Sequence, residues 1–311
     1  MDSQLYLFFH ILSHSLLGAA IAYVMLPQDN WRQRMVSFSL GALSGVTPDL
    51  FGGRDGAPWS HSIFFTPVLV VWMVFIVKRL MREVRFTRLW AASILAVWVG
   101  HLMLDLMGHD VPLLFPFSDK SFVLGVITLG DPWIWLPLTI GIAISFGLKF
   151  RTKLPVMTAI LFVLLYLMLK LMAKEIIAHK VEAAYPVSEQ SHYIIEPDTY
   201  LEYTFQPAAW LKYRYRIVSE HHVRGGRAGW FGEKLGGVSW HYFHPEGLEL
   251  MRSRGVVIAV PRANKDISIT VTDEWAREGV NYIQGKAEDT LYTYKEVTDG
   301  QWIKVDSDVG G

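Results

Sequence analysis

Long uncharged apolar runs recur through the first half of the chain and limit its fold more than any other feature. A bilayer core takes about 20 mostly apolar residues per helical crossing. The runs at 5–25, 63–77, 90–107, 132–146 and 154–172 approach or meet that length. Residues 35–46 form a shorter, Gly-containing run that suits a tilted, re-entrant or buried segment. The first run lacks a basic leading segment, exceeds a signal-peptide core and carries His10 and His14, so it reads as a retained helix. The expected fold is an α-helical polytopic membrane domain of about six helices.

Composition shifts after Met172. The stretch through Pro186 is polar and helix-like, and from His192 onward aromatic and β-branched residues alternate with charges and glycines. The expected organisation is a membrane-embedded helical domain at 1–174, a partly helical linker at 175–190 and a β-rich soluble domain at 191–311. Residues 255–260 and 267–271 read as strands, and Gly225-Gly226 and Gly236-Gly237 as turns.

Short loops rich in Lys and Arg stay cytoplasmic. Arg32 and Arg34 follow the first run; Lys78, Arg79, Arg82, Arg85 and Arg88 follow the third; Lys149, Arg151 and Lys153 follow the fifth. This alternation fits six crossings, with the N-terminus and the β-rich domain both extracytoplasmic. Lys170, Lys174 and Lys180 oppose the pattern, but they lead into a long domain of the kind that translocates largely regardless of charge.

Ionisable residues inside membrane segments are costly and face a cavity or one another. The orientation set by Lys and Arg alone brings His14, Asp49, His61, His101, Asp105 and Asp131 to similar depth on the outer side. His101 and Asp105 lie one helical turn apart on one face. With no cysteine in the chain, thiolate zinc sites, disulfides and iron–sulfur clusters are excluded, so a metal must bind through His, Asp or Glu. Imidazoles with carboxylates suit a divalent ion, zinc or manganese foremost. Such an ion polarises a phosphoryl or carbonyl oxygen, and Asp105 or Asp49 is placed to take a proton.

Plainer roles exist for some of these groups. A lone intramembrane His is more often an interhelical hydrogen-bond partner, the reading preferred for His10. Asp49 after Pro48 suits a helix end, and Asp131 before Pro132 suits an N-cap. For His14, His61, His101 and Asp105 taken together, the functional reading leads.

The segments His14-Ser-Leu-Leu-Gly-Ala-Ala, Thr47-Pro-Asp-Leu, Trp59-Ser-His-Ser, Gly100-His-Leu-Met-Leu-Asp, Val111-Pro-Leu-Leu-Phe-Pro-Phe-Ser and Gly130-Asp-Pro follow one another along the first half of the chain. In this order they resemble a bacterial inner-membrane family of metal-dependent hydrolases of the YdjM/YbcI type, some members of which are LexA-regulated. The resemblance implies that His14, Asp49, His61, His101 and Asp105 are metal and active-site positions, with Asp131 a further polar match; in the hydrolase reading Asp131 is expected to orient a ligand. Two departures stand out: Phe51 replaces a second acidic residue, and Ala57-Pro-Trp59 stands where a His precedes the Ser-His-Ser element. Asp55 restores a carboxylate if the Gly52-Gly53 segment folds back.

The β-rich part carries weaker signals. His221-His222 would point to opposite strand faces; these, His241 and His244 read as surface or structural, and Arg224, Arg227 and Arg252 are a further weak signal. The Gly-Gly-Arg-Ala-Gly run lacks the ending of a phosphate loop. Trp210, Trp230, Trp240 and Trp275 read as core. Zero net charge leaves no electrostatic footprint for nucleic acid. The leading expectation is a membrane-bound metal-dependent hydrolase at the outer face of the inner or plasma membrane, meeting lipids and acting on a lipid-linked or phosphoester substrate. Rival expectations are an ion or proton site, and an anchored extracytoplasmic binding domain.

Overall fold

The computed structural model describes residues 3–56, 58–128, 130–147, 152–184, 192–197, 212–218, 222–230, 236–242, 248–253, 256–261, 268–270, 282–287, 290–298 and 301–305. The chain divides into two compact units, Met1–Leu171 and Met172–Gly311.

The first unit is helical. Its elements are α1 (Ser3–Met25), α2 (Trp31–Gly56), a 3₁₀ turn (Pro58–His61), α3 (Thr66–Leu69), α4 (Val71–Leu80), α5 (Phe86–Val97), a π-helical turn (Trp98–Leu102), α6 (Met103–Gly108), α7 (Pro132–Gly147) and α8 (Leu154–Ala184). Among the described residues, three helical stretches are long and apolar enough to cross a membrane: Leu7–Met25, Phe86–Gly108 and Leu154–Ala184. Helix α7 is apolar but shorter.

The run at 63–77, expected as one span, is instead broken. Ser62 Oγ donates to Phe115 O and the Ile63 N–H to Leu113 O, so this stretch is tied to a loop. Pro67 then sits in the first turn of α3, where its missing N–H costs nothing. The polar stretch after Met172, read as helix-like, continues α8 as far as Ala184.

Glycine decides how α1 and α2 meet. A Cβ at Gly41 would lie 2.3 Å from Gly18 O, and one at Gly45 would lie 2.4 Å from His14 O. One at Gly100 would lie 2.9 Å from Gly18 N. Gly41 and Gly45 are four residues apart, the small-residue spacing that lets helix backbones touch inside a membrane. Any side chain at these positions would push α1, α2 and the π turn apart.

At the far end of α1 three connections converge. Arg88 donates to Met25 O through Nε (3.0 Å) and an η nitrogen (2.6 Å), and Lys153 Nζ donates to Val24 O (2.6 Å) and Leu26 O (2.7 Å). Gln33 Nε2 donates to Glu83 Oε1 at 2.9 Å. Cations here satisfy the free carbonyls of the helix C-terminus. Lys149 and Arg151 lie outside the described residues.

The unit's surface is apolar and its interior partly polar. Phe8, Leu43, Val68, Phe75, Leu161 and Leu165 are exposed, whereas His14, Ser44, Thr47, Ser93, His101 and Asp105 are buried. A soluble domain sorts its residues the opposite way.

In the second unit, β1 (His192–Pro197), β2 (Lys212–Val218), β3 (His222–Gly229) and β4 (Gly236–Tyr242) form an antiparallel sheet in that order. Strands β5 (Leu248–Ser253) and β6 (Val256–Pro261) pair with each other. Strands β7 (Ser268–Thr270), β8 (Tyr282–Ala287), β9 (Thr290–Thr298) and β10 (Gln301–Val305) make a second sheet ordered β10-β9-β8-β7. The strands expected at 255–260 and 267–271 correspond to β6 and β7.

The two glycine pairs expected as turns lie in strands instead. Gly225 and Gly226 sit within β3 opposite Arg216 and Tyr215, and a register shift between Gly225 and Arg227 marks a bulge, the other use of glycine in a sheet. Gly236-Gly237 opens β4. Ala173, Ile177 and Val181 of α8 form a core with Ile195, Tyr213, Tyr215, Ile217 and Ala228, and Trp230 packs against it as expected. Lys180 Nζ donates to Trp230 O at 2.6 Å. Trp240 and His241 occupy β4, while Trp210, Trp275, His221 and His244 lie outside the described residues.

Candidate metal centre

The cluster is assembled from four places in the sequence. Helix α1 supplies His10 and His14, α2 supplies Asp49 just past Pro48, the 3₁₀ turn supplies His61, and the π turn with α6 supplies His101 and Asp105. His109 follows immediately, where α6 ends. A π turn inserts an extra residue into a helix and so re-aims the side chains around it. Here it carries both Gly100, which allows the close approach to α1, and His101.

Asp105, fully buried, is the centre. Its Oδ1 lies 3.1 Å from His14 Nε2 and 2.8 Å from His109 Nε2, and its Oδ2 lies 3.1 Å from His101 Nε2 and 3.7 Å from His61 Nε2. Asp49 Oδ1 stands 3.5 Å from His61 Nε2 and 3.6 Å from His101 Nε2. His10 Nε2 lies 3.9 Å from Asp105 Oδ1 and 4.0 Å from Asp49 Oδ2. The cluster has a floor and a rim. The side chains of Asp105 and His101 are 0% exposed, while those of Asp49 and His109 reach 28% and 30%.

The far nitrogens of the rings are tied down. His14 Nδ1 lies 3.0 Å from Gly100 O, and His101 Nδ1 lies 2.8 Å from Gly45 O. Because a carbonyl only accepts, each Nδ1 carries the proton, and the lone pair of a neutral ring sits on Nε2 facing Asp105. His61 Nδ1 meets Ser60 Oγ at 2.9 Å. The glycines that bring the backbones together are thus the same ones whose carbonyls orient the imidazoles. This is the outer-shell arrangement that fixes metal-ligating histidines.

The residues present fit a divalent ion. Lone pairs of Nε2 and carboxylate oxygens face each other at 3.1 Å, a contact that requires a proton or a cation between them. A single cation answers both contacts at once, because the rings of His14 and His101 are centred 4.3 Å apart and both face Asp105. His101 Nε2, Asp105 Oδ2 and Asp49 Oδ2 are buried without a hydrogen-bond partner, as metal-directed atoms are. Three groupings of ligand atoms could each hold an ion: His14, His101 and Asp105; Asp49, His61 and His101; His10, Asp105 and His109.

The structure brings together His14, Asp49, His61, His101 and Asp105. Asp131 makes the contacts of an N-cap: its Oδ1 accepts from Trp133 N (2.9 Å) and its Oδ2 from Tyr166 Oη (2.8 Å), joining α7 to α8. Beside it Gly130, at φ +74°, lies so close to Phe9 and His10 of α1 that a Cβ would sit 2.7 Å from that of Phe9. The backbone of α2 stays helical through Gly52-Gly53, so the fold-back that would have recruited Asp55 does not occur; its side chain and Ala57 lie outside the described residues. Phe51 and Trp59, at the two departures, are ring neighbours 6.2 Å apart.

Two further residues join the cluster: His10, which the sequence suggests as a plain interhelical partner, and His109, which carries no signal of its own there. The available signal was spacing: residues 10 and 14, and 101, 105 and 109, recur every four positions and so share helix faces.

A buried His/Asp pocket inside helices that are apolar on the outside defines a membrane protein with a candidate metal centre. The chain belongs to the family described as YdjM inner membrane protein, whose model matches residues 9–177 and so covers every residue of the cluster. No curated protein and no solved structure matches.

Proposed function

We propose that the protein is a membrane-bound, metal-dependent hydrolase whose site opens at the outer face of the inner membrane. The single observation that carries this reading is the convergence of imidazole Nε2 atoms, each ring held from behind, on the buried carboxylate of Asp105. His14, His61, His101, Asp105 and Asp49 would hold the ion, which when bound supplies Lewis acidity toward a phosphoryl or carbonyl oxygen. Asp49, the more exposed carboxylate, is the group placed to take a proton from an entering nucleophile. Asp105 and the backbone-tied rings form the rigid floor that excludes bulk solvent. A lipid-linked or phosphoester substrate reaches the rim from the bilayer side.

The orientation has its own support. The cluster lies near the start of α1 and the Arg88–Lys153 collar at its end, 15 residues or about 22 Å apart at 1.5 Å per residue. Basic residues favour the cytoplasmic side, which supports reading the cluster as outer-side in a multi-pass domain and the β-rich unit as extracytoplasmic.

A proton or ion pathway is less well supported. Residues 15–25, 35–48, 89–100 and 132–147 contain no Asp, Glu, Lys, Arg or His between the two ends. The space is filled by Ala22, Leu40, Val74, Leu89 and Val97. The test is metal content of the full chain purified in detergent without added chelator. The wild type should carry stoichiometric divalent metal, and a His61→Ala/His101→Ala variant should lose it; equal content in both would sink the proposal.

A further inference from the structure

The cluster holds more donors than one ion uses, and they are sorted into two sets. Zinc takes four ligands and octahedral ions six, whereas the three groupings together contain seven side chains. Asp105 Oδ1 faces His14, His109 and His10, while its Oδ2 faces His101 and His61. Asp49 divides the same way: Oδ1 toward His61 and His101, Oδ2 toward His10. Each carboxylate therefore turns one oxygen to each set.

His109 repeats the pattern that marks His14 and His101. Its Nδ1 lies 3.1 Å from the Asp110 carbonyl, which fixes the proton there and leaves Nε2, 2.8 Å from Asp105 Oδ1, facing an acceptor. His10 completes that side, its Nδ1 3.2 Å from His14 Nε2 and its own Nε2 turned to both carboxylates. The His10–Asp105–His109 grouping shares with the His101 side only the carboxylate.

We propose that the pocket binds two adjacent divalent cations, bridged by Asp105. His101, His61 and Asp49 complete one position, and His10 and His109, with His14 between the two, complete the other. The proposal rests on the metal-centre reading above. It assigns metal-ligand roles to His10 and His109, and it identifies the substrate class as one with two oxygens to be held at once, a phosphate ester before a simple carboxylic ester. Paired ions clamp the entering and leaving oxygens of an in-line displacement at phosphorus.

The experiment uses the full chain in detergent, stripped with chelator and reloaded with Mn(II) alone. Manganese per chain is measured by elemental analysis, and the coupling between ions by electron paramagnetic resonance. Two ions per chain with an exchange-coupled spectrum are expected. The His10→Gln/His109→Gln variant, confirmed monodisperse, should hold one ion and give an uncoupled six-line signal. One ion per wild-type chain overturns the two-cation proposal and leaves the metal centre standing. No manganese on the wild type overturns both. Two coupled ions that persist in the double variant overturn the assignment of His10 and His109. If that variant does not fold, the wild-type count and coupling decide the two-cation proposal, and the single His10→Gln and His109→Gln variants, each expected to weaken binding of the second ion, decide the assignment.

Discussion

The helical unit and the first sheet of the second unit sort their residues in opposite senses. On β2, Tyr213, Tyr215 and Ile217 are buried, while Lys212 is exposed and Arg214 and Arg216 are partly so, the alternation of a strand with one face toward water. Arg216 also pairs with Glu196 of the neighbouring strand. In the helical unit, Leu161, Leu165 and Met168 of α8 are exposed, while His14, His101 and Asp105 of the cluster are inside. The difference teaches that burial alone does not say what an interior is for. In the sheet the interior is the source of stability. In the helices, where lipid removes the hydrophobic gain of burying apolar groups, contact comes from glycine packing and the polar interior is available for chemistry.

Substitutions can break or sharpen this contrast. The largest effect is expected at Asp105→Ala, which removes the carboxylate shared by both ligand sets. Metal affinity should fall by about 100-fold or more, beyond the loss usual for an outer-shell partner, when titrated by competition with a chelating dye. Retained affinity would mean the polar interior is structural after all.

Next comes Tyr213→Ala in the sheet, where truncating a fully buried aromatic should cost about 3–5 kcal/mol. Limited proteolysis should then cut the second unit at lower denaturant while bound metal is unchanged. A simultaneous loss of metal would show that the two units are not independent in stability.

Leu165→Arg, on the exposed face of α8, tests the outward side: a cation in a span costs about 3 kcal/mol on insertion scales. The yield in the membrane fraction should drop, whereas the reverse exchange Lys212→Leu on β2 should move stability by no more than about 0.5 kcal/mol. Were both substitutions equally mild, lipid would not be what the α8 surface faces.

A smaller effect than that of Leu165→Arg is expected of Tyr166→Phe, which deletes one hydrogen bond to the Asp131 carboxylate and should cost about 2 kcal/mol. Thermal melting in detergent should shift while metal content stays constant. Loss of metal would return Asp131 to a ligand-orienting role.

Much of the site was legible: His14, His101 and Asp105 stand out because ionisable groups are rare in apolar runs, and Asp49 and His61 because they flank such runs within the Thr47-Pro-Asp-Leu and Trp59-Ser-His-Ser segments. His109 escaped because it lies just past the apolar run, where a histidine is unremarkable without its partners. The late start of helix in the run at 63–77 escaped because Ser62 and Ile63 bond to residues some 50 positions away, Phe115 and Leu113. The glycines of β3 read as a turn because local preference cannot tell a bulge from a bend.

By itself the sequence determined that the first half is helical and apolar, that a strand-rich half follows, and that any metal must bind through imidazole and carboxylate. Hydropathy, strand alternation and the lack of cysteine are local properties and need no partner to be read. Only the tertiary structure decided that Gly18, Gly41, Gly45 and Gly100 bring α1, α2 and the π turn into contact, and that the carbonyls so placed aim His14 and His101 at Asp105. Convergence depends on which backbones can approach within a few ångströms, and that is a property of surfaces meeting rather than of any one segment.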